Sequence, residues 1–439
     1  MQEIVSIYIG KAGILLGEAV WELYCMEHGI LINGNMPSYE SETDFKFTNF
    51  FQQVRPAKFV PRALFFDLEP TYTNKLRNGK HRFLFNSEQF LTGDDDAANN
   101  FITDRYNSGS EIIDSMIETV RNFTNNCENV EGFIIYHSAG GGTGYCLTAL
   151  LMERLRNDYP KKMFTEFSIY PTPIISPITT EPFNAVLSTL TSSEYSDCCF
   201  IVDNEAMYQM CCSNLLMKNP NYTNLNRLIA QTVSSATISL RLESALNSNL
   251  KELQKNLVPL PRLNFPYATY APVVPGDKIY DITVEQLTKS CFSKENQMVK
   301  CNPEYGKYLG CCLQFRGNVE PTEINLAIKA MREENSFELV DWCPSAFKVG
   351  VNLRKPSFLP NSDLAELERT ACVLSNNTNI GDYLTRLNQK YNILESKNDF
   401  VCWFKMQNIE FAEYKEAYDF LNQLISDYEE VDLDIYQVD

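Results

Sequence analysis

The chain has 439 residues, of which 44% are hydrophobic and 21% are charged, and its formal net charge at pH 7 is −18. This composition is typical of globular proteins and excludes a largely disordered chain. The length is enough for two or three domains with a large buried core. The negative charge argues against nucleic acid as a partner, because a polyanion would be repelled, and it favours a basic partner surface.

The fourteen cysteines fit neither a disulfide scaffold nor a metal site, because three pairs are adjacent and no CxxC motif occurs. We expect buried free thiols in a reducing compartment. The first residues form a strand-like segment rather than a cleavable signal, and no apolar run reaches the roughly 18–20 residues of a membrane span. These features predict a cytoplasmic protein with no membrane partner.

Short apolar runs alternate with longer helical segments in the first half of the chain. Strands are predicted at residues 4–9, 62–68, 132–136, 164–170 and 199–202, with helices such as 15–28 and 110–125 between them. This rhythm predicts βα units and a mainly parallel sheet covered on both faces. Ligands of such sheets bind at the carboxyl ends of strands, so the candidate loops begin at Gly10, Asp67, Ser138, Pro171 and Asp203.

The second half of the chain has a different pattern. Residues 222–242 contain neither Gly nor Pro and predict one long central helix. Four prolines interrupt residues 259–273, and strands are predicted at 308–315 and 347–351. From residue 382 the chain is helical and charged, and it ends in an acidic stretch that contains no Lys or Arg after Lys415. This acidic stretch is expected either to attract basic partners or to be a disordered end without a role.

The strongest local signal is Ser-Ala-Gly-Gly-Gly-Thr-Gly at residues 138–144, between a predicted strand and a predicted helix. Glycines let backbone N–H groups approach an anion, and the following helix adds its positive N-terminal end. Residues 10–13, Gly-Lys-Ala-Gly, form a second glycine loop, and residues 96–100 are a third candidate. The carboxylates of Asp67 and Glu69 at the same sheet edge predict a magnesium site that keeps several waters.

Several blocks of the sequence resemble the tubulin family, in the family's order, from residue 1 to about 434. The glycine loop at 140–144 is accompanied by blocks at 21–25, 67–70, 96–100, 202–206, 222–228, 256–259 and 340–344. The resemblance implies a tubulin/FtsZ-like α/β fold with a parallel-sheet GTP-binding domain at 1–204. It also implies an α+β intermediate domain with the central helix at 205–379, and C-terminal helices with an acidic tail at 380–439.

The resemblance implies GTP and Mg²⁺ as cofactors and carries the family's contacts over residue by residue. Asp67 and Glu69 would hold magnesium directly or through water. The phosphates would be lined by Gly10, Lys11, Ala12, Ala97, Asn99, Ser138, Gly142, Thr143 and Gly144. The nucleoside would be contacted by Glu181 at the ribose, Asn204 and Asn226 at the guanine edge, and Tyr222 on the face of the base.

Two segments resemble the alpha type of tubulin rather than the beta type. Residues 247–253 match the alpha segment that carries a glutamate, here Glu252, where beta chains have a lysine. In the family this glutamate crosses the longitudinal contact and positions the water that attacks the neighbour's γ-phosphate. Residues 356–364 resemble the longer loop of the alpha intermediate domain.

The implied function is that of an alpha-type GTPase subunit, which pairs with beta-tubulin as a heterodimer and polymerises into cytoskeletal microtubules. Hydrolysis would be completed across the contact between dimers, and the chain's own GTP would stay intact. Microtubule-associated proteins and motors are further implied partners.

Several positions near the expected site depart from the family pattern. Lys11 replaces a glutamine, and we expect its ammonium to neutralise phosphate and partly replace, or compete with, magnesium. Tyr145 and Cys146 replace small residues, a change that predicts crowding of the phosphates. Pro177 replaces a threonine and removes a hydroxyl and a backbone donor.

The predicted surface also departs from the family pattern. Glu40 stands near the position of an acetylated lysine, the loop at 273–282 is shorter and lacks a histidine, and residues 402–408 differ. The tail lacks the family's glutamate run and terminal tyrosine.

Two other functions remain open on the sequence. The altered lateral loop allows a tubulin paralogue that caps, templates or regulates filaments without building them. A soluble nucleotide-dependent metabolic enzyme is a remote alternative, because no second catalytic constellation is visible and the chain has only three histidines. Of these, His137 precedes the glycine loop and is predicted to be structural rather than a general base.

Overall fold

The structure is a computed structural model, and it describes residues 2–37, 45–93, 109–172, 178, 180–242, 244, 246–276, 281–334, 337–343, 346–359, 362–396 and 411–433. The strands are β1 Glu3–Ile9, β2 Phe51–Arg55, β3 Lys58–Pro61, β4 Ala63–Asp67, β5 Phe90–Thr92, β6 Val130–Ser138, β7 Met163–Tyr170, β8 Cys198–Asp203, β9 Tyr267–Ala271, β10 Lys307–Gly317, β11 Glu338–Leu339, β12 Phe347–Asn352 and β13 Arg369–Asn377.

The α-helices of the described residues are, in chain order, α1 Gly10–Glu27, α2 Pro70–Asn78, α3 Gly109–Asn125, α4 Gly142–Asp158, α5 Glu181–Tyr195, α6 Asn204–Ser213, α7 Tyr222–Ala236, α8 Ile238–Arg241, α9 Leu250–Leu257, α10 Val284–Cys291, α11 Pro321–Glu333, α12 Ile380–Ser396 and α13 Phe411–Asp432. None of them is long and apolar enough to cross a membrane.

One sheet runs through both halves of the described chain, in the order β11-β10-β13-β9-β8-β7-β6-β1-β4-β5, with β12 also paired to β10. The strands from β9 to β5 pair in parallel, and β13 pairs antiparallel to both β9 and β10. The predicted parallel sheet and the α/β fold class are therefore confirmed. Because the sheet continues from β8 to β9, the domain limits at 204 and 379 stay predictions.

The parallel part of the sheet is held by a row of aromatic side chains on one face. Six rings from six neighbouring strands stack at centroid distances between 4.6 and 5.2 Å, close to the spacing of adjacent strands. In sheet order they are Phe90, Phe65, Tyr8, Tyr136, Phe167 and Phe200. The row fixes the register of the strands whose carboxyl ends carry the predicted binding loops.

Helix α1 lies directly on this aromatic row because two of its residues lack side chains. A Cβ on Gly13 would lie 2.5 Å from the carbonyl oxygen of Tyr136, and one on Gly17 would lie 2.8 Å from the ring of Tyr8. Any larger residue would push the helix off the sheet. The close contact fixes the position of α1 on the face of the sheet, and therefore the position of Gly10 and Lys11 at its start.

The predicted single helix at 222–242 is wrong in one respect, because α7 ends at Ala236 and α8 begins at Ile238. Thr237 lies between them, and its hydroxyl donates to the carbonyl of Val233 at 2.7 Å. The same oxygen lies 2.6 Å from the hydroxyl of Tyr24. A side chain that competes for helical carbonyls bends or ends a helix, which explains the break.

A buried ion cluster joins α1 to the second half of the chain. The carboxylate of Glu27 accepts hydrogen bonds from Arg241 at 2.6 Å, from Arg316 at 2.5 Å and from the hydroxyl of Ser234 at 2.6 Å. Burial raises the pKa of Glu27, but the two guanidinium groups outweigh it and lower the pKa to about 2. Arg241 also lies over the ring of Tyr24 at 3.9 Å.

All cysteines in the described ranges are free, and most are buried, as the sequence predicts. Burial raises the pKa of thiols such as Cys198 and Cys311 well above its usual value. These cysteines therefore stay protonated and act as small apolar core residues.

The substitution Glu27→Gln should strongly destabilise the protein, because it leaves two buried guanidinium groups without a carboxylate. We expect a loss of about 3–5 kcal/mol in the free energy of unfolding. Urea unfolding followed by circular dichroism measures it. The matched control is Glu22→Gln on the same helix, whose partner Lys80 is exposed, and it should cost less than about 1 kcal/mol. Equal losses in the two variants would contradict this account of the cluster.

Candidate functional site

Five predicted loops meet at one edge of the sheet, at the carboxyl ends of the parallel strands. The strand register brings the ends together, since Ile9 pairs with Phe66, Ser138 with Ile169, and Tyr170 with Asp203. The residues that follow these ends open α1, α4 and α6, while Glu69 stands directly before α2. Helix N-termini and strand ends therefore surround a single region, as expected for the binding edge of a doubly wound sheet.

The glycine loop at 138–144 is anchored from three sides. The amide of Ala139 donates to the carbonyl of Ile169 at 2.9 Å, and the side chain of Asn184 donates to the carbonyl of Gly140 at 2.9 Å. The amide of Gly141 donates to the hydroxyl of Ser138 at 3.3 Å. Helix α4 then begins at Gly142, so its first-turn amides point toward the sheet edge, where an anion can accept from them.

The two glycine loops touch each other. Gly10 has a left-handed φ of +68°, and a Cβ there would lie 3.4 Å from the backbone of Gly144. A Cβ on Gly144 itself would lie 2.9 Å from the carbonyl oxygen of Ser138, closer than real side chains approach. The glycines thus permit a backbone-lined cradle that side chains would fill, which suits a phosphate group.

Two carboxylates lie beside this cradle. Asp67 is buried at the end of β4, and Glu69 is half-buried directly before α2, where it accepts a hydrogen bond from the hydroxyl of Thr71. Among the described residues no group of three or more His, Cys, Asp or Glu side chains could hold a metal. A magnesium ion at Asp67 and Glu69 would therefore take its other ligands from water and phosphate, which agrees with its usual coordination.

Next to the cradle lies a cavity of about 340 Å³, a size that suits a nucleoside. Its lining residues are Pro171, Thr172, Glu181, Asn204, Tyr208, Pro220, Asn221, Tyr222 and Leu225. Three of them, Glu181, Asn204 and Tyr222, were predicted, and each is the first residue of a helix. The buried hydroxyl of Thr172 has no hydrogen-bond partner in the described part of the chain and suits a polar ligand.

Sequence reasoning missed Thr172, Tyr208, Pro220, Asn221 and Leu225 as lining residues. Thr172 follows the end of β7, Tyr208 lies one turn beyond Asn204, and Leu225 lies one turn beyond Tyr222. Helical spacing from the predicted contacts could have found the last two. Asn226 is half-buried on α7 and lies outside the cavity lining, so its contact with a base remains a prediction.

The start of α6 is fixed by the carboxylate of Asp203. It accepts hydrogen bonds from the amides of Glu205 at 2.9 Å and Lys300 at 3.4 Å, and the side chain of Lys300 pairs with Glu205 at 2.5 Å. Burial raises the pKa of Asp203 to about 6. This cap orients Asn204, the first residue of α6, toward the cavity.

Comparison with known protein families gives two matches. A family model described as "Tubulin/FtsZ family, GTPase domain" matches residues 3–212, and one described as "Tubulin C-terminal domain" matches residues 261–389. The first match contains the cradle, the two carboxylates and most of the cavity. The chain belongs to the tubulin family. It is therefore a tubulin-like GTP-binding protein with a GTPase domain.

The expected crowding of the phosphates by Tyr145 is wrong for this tubulin. The Tyr145 ring is buried in the core between α4 and α5, where its hydroxyl lies 3.2 Å from that of Thr191. Cys146 is buried in the same cluster. Both side chains therefore pack in the core instead of lining the cradle.

His137 lies beneath the glycine loop of the tubulin and has a structural environment. Its Nε2 atom is 2.8 Å from an oxygen of Glu166, and the hydroxyl of Ser192 donates to the same oxygen at 2.9 Å. Both His137 and Glu166 are almost completely buried. The pair ties β6, β7 and α5 together, which agrees with the predicted structural role.

Glu252 lies at the opposite end of the sheet. The amide of Leu250, at the start of its helix, donates to Glu131 at the amino end of β6 at 2.6 Å. From Glu131 to Ser138 the strand spans roughly 23 Å. Glu252 therefore cannot reach the tubulin's own glycine cradle.

Other predicted features lie outside the described residues. They are Ala97, Asn99, Pro177, Glu40, part of the lateral loop at 277–280, residues 402–408 and the tail from 434.

The substitution Gly144→Ala should distort the cradle, because the new Cβ would meet the rigid backbone of Ser138. We expect a loss of about 1–3 kcal/mol in stability, together with loss of bound GTP. Thermal unfolding and chromatography of the extracted nucleotide measure both. The control Gly141→Ala lies in the same loop, where a Cβ would make an ordinary contact of 3.5 Å with Ser138. Unchanged stability and nucleotide content in Gly144→Ala would contradict the cradle.

Proposed function

We propose that this tubulin is of the alpha type, that it pairs with beta-tubulin and assembles into microtubules, and that Glu252 completes the hydrolysis of GTP on the neighbouring beta subunit. The supporting observation is that Glu252 lies at the amino ends of the parallel strands, whereas the tubulin's own cradle lies at their carboxyl ends. A head-to-tail contact between subunits places the amino edge of one sheet against the carboxyl edge of the next, and such contacts generate open filaments.

The tubulin's own nucleotide would be held as the resemblance implies. Glycine-loop amides would bind the phosphates, Asp67 and Glu69 would hold magnesium, and the cavity behind Tyr222 would take the guanosine. Magnesium would neutralise phosphate charge at this edge. Beta chains carry a lysine at the position of Glu252, so a neighbouring beta subunit would bring no carboxylate to this GTP, and we propose that it stays unhydrolysed.

The environment of Glu252 suits a residue that orients water. Its carboxylate accepts hydrogen bonds from the amide of Ser248 at 2.8 Å and from the hydroxyl of Ser248 at 2.9 Å. Partial burial raises the pKa of Glu252, but these hydrogen bonds outweigh it and lower the pKa below its usual value. An ionised, fixed carboxylate accepts a hydrogen bond from water and polarises it, although it is a weak base.

The loop at 356–364, which resembles the alpha type, packs against the central helix. The side chain of Gln231 on α7 donates to the carbonyl of Ser357 at 2.9 Å, and that of Asn224 donates to Asp363 at 2.6 Å. Phe358 and Leu359 are buried. These contacts support an alpha-type loop that is part of the folded core.

The first test is co-expression with beta-tubulin, followed by extraction of the nucleotide bound per heterodimer. We expect two guanine nucleotides, of which one resists exchange and remains GTP. A single, exchangeable nucleotide would show that this chain's site does not hold GTP, and the proposal would give way to a paralogue that regulates filaments.

The second test separates catalysis by Glu252 from its structural role. A Gln side-chain oxygen can accept the same hydrogen bonds from Ser248 as Glu252 does, so Glu252→Gln should preserve the fold and filament assembly. We expect GTP hydrolysis in filaments with beta-tubulin to fall by about 100-fold or more, because the charge that orients water is lost. Released phosphate and electron microscopy measure the two effects. Lys255→Gln on the same helix is the control, and normal hydrolysis in Glu252→Gln would refute the catalytic role.

A further inference from the structure

Lys11 lies beside the point where the two glycine loops of the candidate site touch. It follows Gly10, whose left-handed backbone touches Gly144 of the glycine loop, and it is the second residue of α1. Because α1 lies tightly on the sheet at Gly13 and Gly17, the backbone of Lys11 is fixed at the sheet edge. Its long side chain therefore starts from a rigid base beside the phosphate cradle.

The ammonium of Lys11 has a defined position within this region. It lies over the ring of Tyr72, 4.9 Å from the ring centroid, which is the geometry of a cation–π contact. Tyr72 lies in the first turn of α2, just beyond Glu69. A hydrogen bond with Tyr72, followed by the negative potentials of Tyr72, Tyr222 and Glu69, raises the pKa of Lys11, while partial burial lowers it. The side chain is therefore charged at neutral pH.

The positive charge of Lys11 therefore lies near three parts of the candidate site: the expected metal site, the nucleoside cavity and the phosphate cradle. Glu69 belongs to the expected metal site, Tyr222 lines the nucleoside cavity, and Gly10 belongs to the phosphate cradle. Lys11 is itself exposed to solvent, and its charge interacts with those of Glu69 and Tyr222. Its charge adds to that of any bound metal.

We propose that Lys11 is a built-in cation of the nucleotide site, held by Tyr72 beside Glu69, so that the site retains guanine nucleotide at divalent-cation concentrations that would empty a site without this lysine. The inference rests on the proposed placement of the nucleotide phosphates at the glycine cradle. A lysine ammonium binds phosphate as a compact point charge and needs no octahedral set of ligands, whereas magnesium does. The lysine therefore supplies part of the charge neutralisation when magnesium is scarce.

The test uses heterodimers with beta-tubulin, purified in millimolar magnesium and then transferred into EDTA. Guanine nucleotide that remains bound is counted by chromatography at successive times. The beta subunit is the same in every sample, so differences report the site of this chain. For Lys11→Gln we expect the nucleotide of this site to dissociate at least 10-fold faster than in the wild type in EDTA, and at a similar rate in magnesium.

Three further variants make the result specific to the charge. Lys11→Arg keeps a cation and should retain nucleotide nearly as well as the wild type. Tyr72→Phe keeps the ring but loses the hydroxyl, so its dissociation rate should lie between those of the wild type and Lys11→Gln. Lys80→Gln removes a lysine that pairs with Glu22 on the outer side of α1, and it should behave as the wild type. Gel filtration confirms that each variant remains a heterodimer.

The possible outcomes distinguish this inference from the proposed function. Equal dissociation of wild type and Lys11→Gln in EDTA overturns the inference and leaves GTP binding intact, provided that both retain nucleotide in magnesium. Slower dissociation from Lys11→Gln also overturns it, because the lysine would then compete with magnesium. If the wild type carries no nucleotide beyond that of the beta subunit even in magnesium, the proposed site itself fails.

Discussion

The carboxylate of Glu27 is the contact on which the arrangement of the two halves depends. It is completely buried at the end of α1 and is neutralised by Arg241 and Arg316, which come from distant parts of the chain. Removing a charge from water is costly, so this carboxylate is tolerated only when both guanidinium groups and Ser234 are in place. The cluster thus ties the end of α1 to α7, α8 and β10, and a fold that lacked one of these elements would bury an uncompensated charge.

This contact also sets the relative position of α1 and α7, whose first turns lie at the candidate site. Helices α1 and α7 run in the same direction, because Glu27 and Ser234 meet near their last turns, while Lys11 and Tyr222 in their first turns are close enough to interact electrostatically. The start of the first helix borders the phosphate cradle, and the start of the second lines the nucleoside cavity. The parallel sheet then separates this edge from Glu252, whose helix is held at the amino ends of the strands. The chain therefore carries a binding edge and a distant carboxylate, which under the proposed function a neighbouring subunit brings together.

The sequence by itself determined the parallel sheet, its strand ends and the loops that follow them. Buried parallel strands require nearly continuous apolar runs, and the turns after them require glycine or acidic residues, so both leave local signals. The glycine loop before α4 and the carboxylates Asp67 and Glu69 were visible for this reason, whereas Glu181, Asn204 and Tyr222 came from the family resemblance. The family was visible as well, because its blocks recur in order along the whole chain.

Only the tertiary structure decided where long side chains point and where helices end. Tyr145 and Lys11 are both substitutions beside glycine loops, yet one turns into the core and the other toward the site, because packing between α4 and α5 offers the Tyr145 ring a buried position. The break at Thr237 depends on a hydroxyl from Tyr24, more than 200 residues away in sequence. Local sequence patterns do not reveal such partners. Side-chain direction and helix ends follow from contacts that form only when distant segments pack together.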